Sequence, residues 1–323
     1  MLRKFSKWIF ILSIFAVVGC TSEQEKLLKR VESRVVDAER AVVQLKSHLR
    51  NGTMRNAKLL VQYGAYLKRQ KPDLAEIIDT LQSEGTVNGL MLNNLQHRFS
   101  QAKLDSTTVA RKDIIAASNT YNELDSIIEA ASPNSFNMML TDQINVLADM
   151  SDGKLSRVES MSKEASLAAN KSKDYGAGSQ LVGNPNYGSW HRNSNGSSAW
   201  TWFAAYAMFN SMNRSPIYYD RWSRNRDYSY YGSVGRHHYI SPKQKTSQTQ
   251  LDKNYKDKFS KQGKKFQSPY AKNKITTAKV SQQRKVARRT ASNRRAGFSS
   301  NRQGTASSRS ASSRTSRSSS RGK

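Results

Sequence analysis

Apolar residues in the first half of the chain recur at helical spacing. Between positions 28 and 49 they are alternately three and four residues apart, the heptad pattern of a helix with one apolar stripe. This heptad stripe consists of Leu28, Val31, Val35, Ala38, Val42, Leu45 and Leu49. The pair Asn51-Gly52 predicts the end of the helix, because glycine readily adopts the left-handed conformation that closes helices. The stripe either packs inside the chain or pairs two copies in a homodimer.

The same spacing continues to about residue 170 and predicts further helices. Their apolar faces lie near positions 54–68, 72–85, 90–99, 114–128, 139–150 and, more weakly, 155–161. No stretch of this half shows the alternation of a half-buried strand. About 150 residues are enough to bury a core. We therefore expect an all-α fold, with an antiparallel, coiled-coil-like helical bundle over residues 22–170.

A different pattern begins after position 170. Glycine, asparagine and serine are frequent over 171–198, which predicts a flexible linker. Residues 199–240 are rich in aromatic side chains, and the first part of them, 199–209, carries no charge. We expect that part to form a short helix that is apolar on nearly all sides. Its candidate interface residues are Trp200, Trp202, Phe203, Tyr206 and Phe209.

Three placements of this expected helix remain open. It packs on the bundle, lies in a membrane interface where Trp and Tyr are stable, or binds a partner protein. It is too short to span a bilayer, which takes about 20 residues. The tyrosines and arginines that follow it are interleaved. Such side chains stack on bases or sugar rings, or on each other.

The positive charge is concentrated in the second half of the chain. Residues 21–174 contain 21 Lys and Arg against 20 Asp and Glu, whereas residues 175–323 contain 29 against 4. Residues 241–323 form a basic segment that ends in a Ser/Arg-rich stretch, with very few apolar residues to bury. This composition predicts a disordered tail.

The tail is expected either to bind an anion or to be a solvated extension. Near an anionic surface each Lys or Arg contributes on the order of 1 kcal/mol. Candidate ligands are lipid headgroups, lipopolysaccharide, a cell-wall polymer and extracellular DNA. The cations expected to contact the anion are Arg284, Lys285, Arg288, Arg289, Arg294, Arg295, Arg302, Arg309, Arg314, Arg317 and Arg321.

The N-terminus has the layout of a secretory signal. Arg3, Lys4 and Lys7 precede an apolar run over 8–19 that is too short to span a membrane. The run ends at Cys20, the only cysteine of the chain. An intramolecular disulfide and a cysteine metal site are therefore excluded.

The sequence Val17-Val18-Gly19-Cys20 resembles a bacterial lipobox. The resemblance implies that residues 1–19 are removed and that Cys20, in an anchor site at 20–21, carries two or three acyl chains. Thr21 is not the aspartate that tends to retain Gram-negative lipoproteins at the inner membrane. The implied location is the cell envelope, at the outer membrane facing the periplasm or the surface in a Gram-negative cell.

The sequence contains no catalytic motif that we identify. His237 and His238, even with Asp227, lack a further ligand at a known metal-binding spacing. We expect no cofactor, no small-molecule substrate and no enzymatic activity. The expected function is a membrane-anchored tether, held at Cys20, whose tail binds an anionic envelope component. The alternative is an interaction subunit of an envelope complex that docks through 199–209.

Overall fold

The computed structural model describes residues 22–159, 162–213 and 215–270. Over these residues the chain is mostly helical, as predicted, with one small two-stranded sheet. We call residues 22–170 the helical region and residues 175–270 the aromatic region.

The helical region contains eight α-helices within its described residues. They are α1 (Glu23–Arg50), α2 (Arg55–Gln70), α3 (Ala75–Ser83), α4 (Leu90–Thr107), α5 (Ile114–Ala131), α6 (Pro133–Met139), α7 (Thr141–Met150) and α8 (Lys163–Asn170). The described part of the aromatic region contains β1 (Gly188–Arg192), β2 (Ser198–Trp202), α9 (Met208–Met212), α10 (Tyr219–Arg224), α11 (Tyr230–Ser233) and α12 (Pro242–Lys261).

Helix α1 begins and ends where local chemistry closes it. The Ser22 Oγ accepts a hydrogen bond from the Glu25 N–H at 3.1 Å and so caps the first turn. The helix stops before Asn51, and Gly52 has a φ of +57°. The predicted stop is therefore confirmed. The buried residues of the heptad stripe are Val31, Ala38, Val42, Leu45 and Leu49.

Helix α1 packs along α4 and α5, and these contacts set the helix directions. Gln24 donates to the Arg111 carbonyl just before α5, and Arg34 pairs with Asp125 inside α5 at 3.2 Å. The contact partners on both helices therefore have higher residue numbers at the same end, which means that α1 and α5 run in the same direction. The predicted antiparallel bundle is wrong for this pair of helices. Since the chain itself covers the heptad stripe, a homodimer through the stripe would have to uncover these side chains.

Helix α7 lies at the centre of the structure. Nine of its ten residues are buried. It packs against α2, α3 and α6 of the helical region and against α11 and the turn at Ser179–Leu181 of the aromatic region. Neighbouring elements therefore cover the polar side of α7 as well as its apolar side, and Asp142, Gln143 and Asn145 are buried.

Residues 199–209 do not form the predicted helix. Strand β2 pairs antiparallel with β1 so that Trp190 lies opposite Trp200, and a 3-10 turn and α9 follow. Trp200 and Trp202 are buried, whereas Thr201 between them is exposed. This alternation is the period of a strand, in which successive side chains point to opposite faces.

The expected linker, 171–198, is packed rather than extended in solvent. Leu181 and Tyr187 are fully buried. Gly183 has a φ of +85°, and a Cβ at this position would lie 2.5 Å from a ring atom of Trp222. At this position glycine does not make the chain flexible. It allows the backbone to approach the aromatic ring closely, because it has no Cβ.

The first part of the expected disordered tail is also folded. Ser241 and Gln244 form a reciprocal capping box, in which each side chain accepts a hydrogen bond from the other residue's N–H. Pro242 occupies the first turn, where no backbone donor is needed. The prediction of disorder is thus wrong for residues 241–270. Residues 271–323 lie outside the described residues.

The helical and aromatic regions share one continuous apolar core. Aliphatic side chains of α1 to α7 contribute one part of it, and tryptophans and tyrosines contribute the other. The domain boundary expected near residue 170 is therefore not a break in packing. None of the described helices is long and apolar enough to cross a bilayer.

Candidate anion-binding surface

Eight exposed lysines lie on α12 and the four residues that follow it. They are Lys243, Lys245, Lys253, Lys256, Lys258, Lys261, Lys264 and Lys265. None of them pairs with a carboxylate of the described residues. Of the two acids in this segment, Asp252 accepts a hydrogen bond from the Tyr219 hydroxyl at 3.1 Å, and Asp257 is exposed. We call these eight residues the lysine array.

One face of α12 is fixed on the aromatic region. The Tyr255 hydroxyl accepts a hydrogen bond from the Ser198 N–H at 2.6 Å, and its ring lies 4.9 Å from the ring of Tyr219. Gln248 donates to the hydroxyl of Tyr231 at 2.9 Å. The helix therefore has a defined orientation, and the lysine array projects from a fixed support.

The residues after α12 fold back onto the same aromatic side chains. The ring of Phe266 lies 5.9 Å from that of Tyr255 and 5.5 Å from that of Phe259. The Arg236 guanidinium stacks over the ring of Tyr270 at 3.7 Å. These contacts hold the chain in place up to the last described residue.

The lysine array suits a ligand with many negative charges. An ammonium group is a hydrated point charge on a flexible stem and does not select one anion geometry. Several such groups on one surface raise the local concentration of an anionic polymer or membrane. The arrangement therefore supports multivalent, salt-sensitive attraction rather than recognition of one small anion.

The candidate interface aromatics are not an exposed surface. Phe203 is 45% exposed, whereas Trp200, Trp202, Tyr206 and Phe209 are buried. Trp202 packs 4.9 Å from Phe209 between ring centroids. The four buried residues belong to the shared core, which corrects their assignment as a docking or membrane-facing set.

The remaining sequence-predicted residues lie outside the described part of the chain. These are the lipidation site Cys20 and the eleven tail cations between positions 284 and 321. The structure therefore brings no predicted tail residue into a described site. The lysine array lies on the same basic segment, N-terminal to those cations.

Glu84 is a fully buried acid that the sequence does not reveal. It accepts hydrogen bonds from the Met91 N–H and from the Tyr206 hydroxyl, each at 3.0 Å. Burial raises the pKa of its carboxyl to about 7, because the charged form is poorly solvated there. Glu84 thus connects the end of α3 to the start of α4 and to the aromatic region.

Asp142 is a second fully buried acid, on the central helix α7. Its carboxylate accepts hydrogen bonds from the N–H groups of Tyr230 and Tyr231, at 2.7 and 2.9 Å. Burial raises the pKa of Asp142 to about 7. Its contacts satisfy backbone donors at the start of α11, which explains a polar residue in a buried position.

A buried ion cluster completes the connection between the two regions. Arg157 pairs with Asp149 at 2.6 Å and with Asp227 at 3.2 Å, and all three side chains are 5% exposed or less. Ser166 donates to Asp227, and Gln180 donates to both carboxylates. Because both acids are occupied in this way, the cluster fits a structural role.

The described histidines do not form a metal site with Asp227. That carboxylate is buried and pairs with Arg157. Across residues 22–159, 162–213 and 215–270, no three His, Cys, Asp or Glu side chains are placed to share a metal ion.

A small cavity lies between α4 and the segment that leads into α12. Its volume is about 120 Å³, and Asn94, Arg98, Asn186 and Gln244 are among its lining residues. Ligand pockets of enzymes are usually about 300–1,000 Å³. Asn94 donates to Asn186 at 2.7 Å, and Arg98 is paired with Glu123, so these polar groups already have partners.

The comparisons with known proteins give no relative. The chain matches no protein family, no curated protein and no solved structure.

Proposed function

We propose that the protein is a non-enzymatic envelope tether, anchored through lipid on Cys20 and bound to an anionic envelope component through its basic C-terminal part. The observation that carries this proposal is the lysine array, whose eight exposed ammonium groups have no carboxylate partner among the described residues. The lipobox-like sequence Val17-Val18-Gly19-Cys20 supports the anchor. The bundle-like helical region and the aromatic region together form the body between these two functions.

The ligand in this proposal has repeated negative charge. It is a lipid headgroup surface, lipopolysaccharide, a cell-wall polymer or extracellular DNA. The lysine array leads directly into the tail cations, so both act on one ligand as a multivalent set. Attraction of this kind weakens as salt screens the charges.

The proposal is tested by neutralising part of the lysine array in the full chain. One variant replaces Lys245, Lys253, Lys256 and Lys261 by Gln. A matched control replaces Arg55, Lys58, Arg69 and Lys154 of the helical region by Gln. These four cations are also exposed and also lack a carboxylate partner among the described residues. Both variants lose the same net charge, so they differ in the position of the lost charge.

Binding is measured by cosedimentation with each of the four anionic ligands at several salt concentrations. We expect the array variant to bind more weakly and with a smaller salt dependence. For duplex DNA, the plot of the logarithm of the binding constant against the logarithm of the salt concentration has a negative slope. This slope becomes less steep by about 0.9 for each phosphate contact that is lost. The control variant is expected to retain the parent slope. Equal loss in both variants would mean that net charge alone governs binding and would contradict the proposal.

The tail contribution is measured with a chain that ends at Tyr270. This end point retains Phe259 and Phe266, whose rings pack against each other. A chain ending at Asp257 would remove both rings, and unfolding would then be confused with loss of binding. The proposal requires that the chain ending at Tyr270 binds the anionic ligand more weakly than the full chain, with unchanged membrane attachment.

A further inference from the structure

Exposed aliphatic side chains are concentrated at one end of the α4–α5 hairpin. Eight large hydrophobic residues of the described chain are exposed, and four of them lie between positions 104 and 115. These four are Leu104, Val109, Ile114 and Ile115, with exposed fractions of 56, 37, 48 and 69%. A soluble surface rarely gathers several such side chains without a partner.

These side chains lie on the α4–α5 loop, residues 108–113, and on the adjoining turns of the two helices, and the loop has a defined conformation. The Ala110 N–H donates to the Asp105 carbonyl at 2.8 Å, and the Lys112 N–H donates to the Val109 carbonyl at 3.1 Å. Asp113 caps α5 by accepting a hydrogen bond from the Ala116 N–H at 2.7 Å. The apolar side chains are therefore held outward by an ordered turn and a capped helix.

This loop lies beside the start of α1. Gln24 donates to the Arg111 carbonyl at 3.3 Å, and the Arg111 guanidinium reaches Glu32 at 3.6 Å. Cys20 precedes the first described residue, Ser22, by two positions. Two residues of extended chain span at most about 7 Å. A lipid on Cys20 is therefore covalently restricted to the end of α1 where the exposed loop lies.

We propose that the α4–α5 loop and the first turn of α5 form a second membrane contact, which inserts Val109, Ile114 and Ile115 into the lipid layer beside the anchor. The occupant of this apolar surface is the bilayer that receives the acyl chains of Cys20, so the inference rests on the lipid anchor of the proposed function. Lys112 is exposed next to these side chains and suits an anionic headgroup. Membrane binding that combines an acyl anchor with a second signal is more stable than binding through one signal.

The charges around the loop are compatible with this contact. Asp113 is engaged in the helix cap, and Asp105 accepts a hydrogen bond from the Gln101 side chain at 3.0 Å. On the neighbouring first turn of α1, Glu23 pairs with Lys26 at 2.9 Å. These interactions limit the repulsion between nearby carboxylates and anionic headgroups.

Val43 provides a matched comparison on the same molecule. It is 61% exposed, close to the value for Ile115, but it lies twenty residues along α1 from Glu23. At 1.5 Å per residue this is roughly 30 Å along the helix axis. If the loop end of the molecule contacts the membrane, Ile115 is in lipid while Val43 remains in water.

The experiment uses the full-length, membrane-processed protein with Ile115→Cys or Val43→Cys. A lipidated Cys20 has no free thiol, so each variant carries one thiol for an environment-sensitive fluorophore. The labelled proteins are reconstituted in vesicles of phosphatidylethanolamine and phosphatidylglycerol, and circular dichroism checks that both remain folded. We expect the label at position 115 to emit at shorter wavelength and to be quenched by lipids with a shallow spin label. The label at position 43 is expected to emit as in water.

The outcomes separate the inference from the function on which it rests. Uptake of the fluorophore by the parent protein would show a free Cys20 and would overturn the lipid anchor and the inference together. An unlabelled parent with water-like emission at both positions would overturn the membrane contact alone. A shift at position 115 that occurs without vesicles and increases with protein concentration would assign the surface to a second copy of the chain, which also overturns the inference.

Discussion

The helical and aromatic regions bury their side chains by different means. In the helical region, long helices such as α1, with 28 residues, place Leu, Ile and Val on one face. In the aromatic region, apart from α12, the helices and strands have only four to six residues. Its fully buried side chains include Tyr187, Tyr206, Tyr219 and Tyr231.

This difference shows how short elements form a packed structure without long hydrogen-bonded ladders. An aromatic side chain buries about 150–250 Å², considerably more than one aliphatic residue contributes to a helix face. Trp190 illustrates the effect, because its ring lies within 5.2 Å of the rings of Trp200, Tyr219 and Trp222. These rings join β1, β2 and α10, which have few backbone hydrogen bonds of their own.

Polar contacts fix the aromatic region on the helical region. Tyr206 donates to Glu84, Arg157 pairs with Asp227, and Arg98 donates to the His238 carbonyl at 2.6 Å. Each contact joins residues that are far apart in the sequence. We infer that the two regions unfold together, although their sequences resemble separate segments.

The largest expected effect is that of Trp202→Ala. Removal of a buried aromatic side chain typically lowers the free energy of unfolding by about 3–5 kcal/mol. Beyond the first 20 residues, all tryptophans lie in the aromatic region, so tryptophan fluorescence reports the unfolding of that region. Far-ultraviolet circular dichroism chiefly reports the helical region, which contains most of the described helical residues. We expect one coincident transition by both probes, shifted to lower denaturant in the variant.

The control for this prediction is the neighbouring Phe203→Ala. Phe203 is 45% exposed, so its truncation is expected to cost well under half as much. Two separate transitions, with circular dichroism unaffected by Trp202→Ala, would contradict joint unfolding of the two regions.

A slightly smaller effect is expected for Arg157→Met, which removes the cation of the buried ion cluster. Asp149 and Asp227 would then remain buried without their partner, and loss of one partner typically costs about 3–5 kcal/mol. We expect the lower end of this range, because Ser166 and Gln180 still donate hydrogen bonds to the two carboxylates. Chemical denaturation at pH 7 measures the change.

The matched variant for the ion cluster is Arg111→Met. Arg111 pairs with Glu32 at 3.6 Å, and both side chains are more than 60% exposed. Exposed ion pairs contribute about 0–1 kcal/mol. Similar effects of the two substitutions would show that the buried cluster does not hold the regions together.

The sequence predicted the helical region better than the aromatic region for a physical reason. Helix α1 is determined by signals within its own segment, namely the heptad stripe and the Asn51-Gly52 stop. The direction of α5 relative to α1 depends on contacts between distant residues, and local periodicity does not contain it. The central helix α7 has the apolar face that its spacing predicts, but the burial of its polar residues depends on contacts with distant elements, which its own pattern does not show.

Strand β2 and the start of α12 in the aromatic region have local sequence patterns that an interpretation based on composition overlooks. Trp200-Thr201-Trp202 alternates as a strand does, and Ser241 with Gln244 has the spacing of a capping box. The packing role of Gly183 depends on the ring of Trp222, which no local pattern indicates. Basic composition favours an anion-binding segment, which stays a prediction, but it does not indicate that most of the lysine array lies on a folded helix.

The smallest expected effect concerns the pH dependence of stability and involves Glu84. Its pKa is about 7 in the folded protein, above its ordinary value of 4.5, because burial disfavours the charged carboxylate. A raised pKa means that the folded state binds the proton more tightly than the unfolded state. The contribution of Glu84 to stability is therefore complete below about pH 4.5 and is lost as the pH rises to about 7. Between pH 5 and 8 the loss is on the order of 2 kcal/mol.

Glu84→Gln is expected to flatten this pH dependence. The amide oxygen still accepts the hydrogen bond from the Met91 N–H, and the side chain carries no charge at any pH. Asp142, whose pKa burial also raises to about 7, contributes a loss in the same direction and remains in this variant, so part of the slope persists. The control is Glu76→Gln on the same helix, where the carboxylate is exposed. Urea denaturation from pH 5 to 8 measures how the free energy of unfolding of each variant changes with pH. An equal change for the parent and Glu84→Gln would show that the contact between Glu84 and Tyr206 does not depend on the protonation of Glu84.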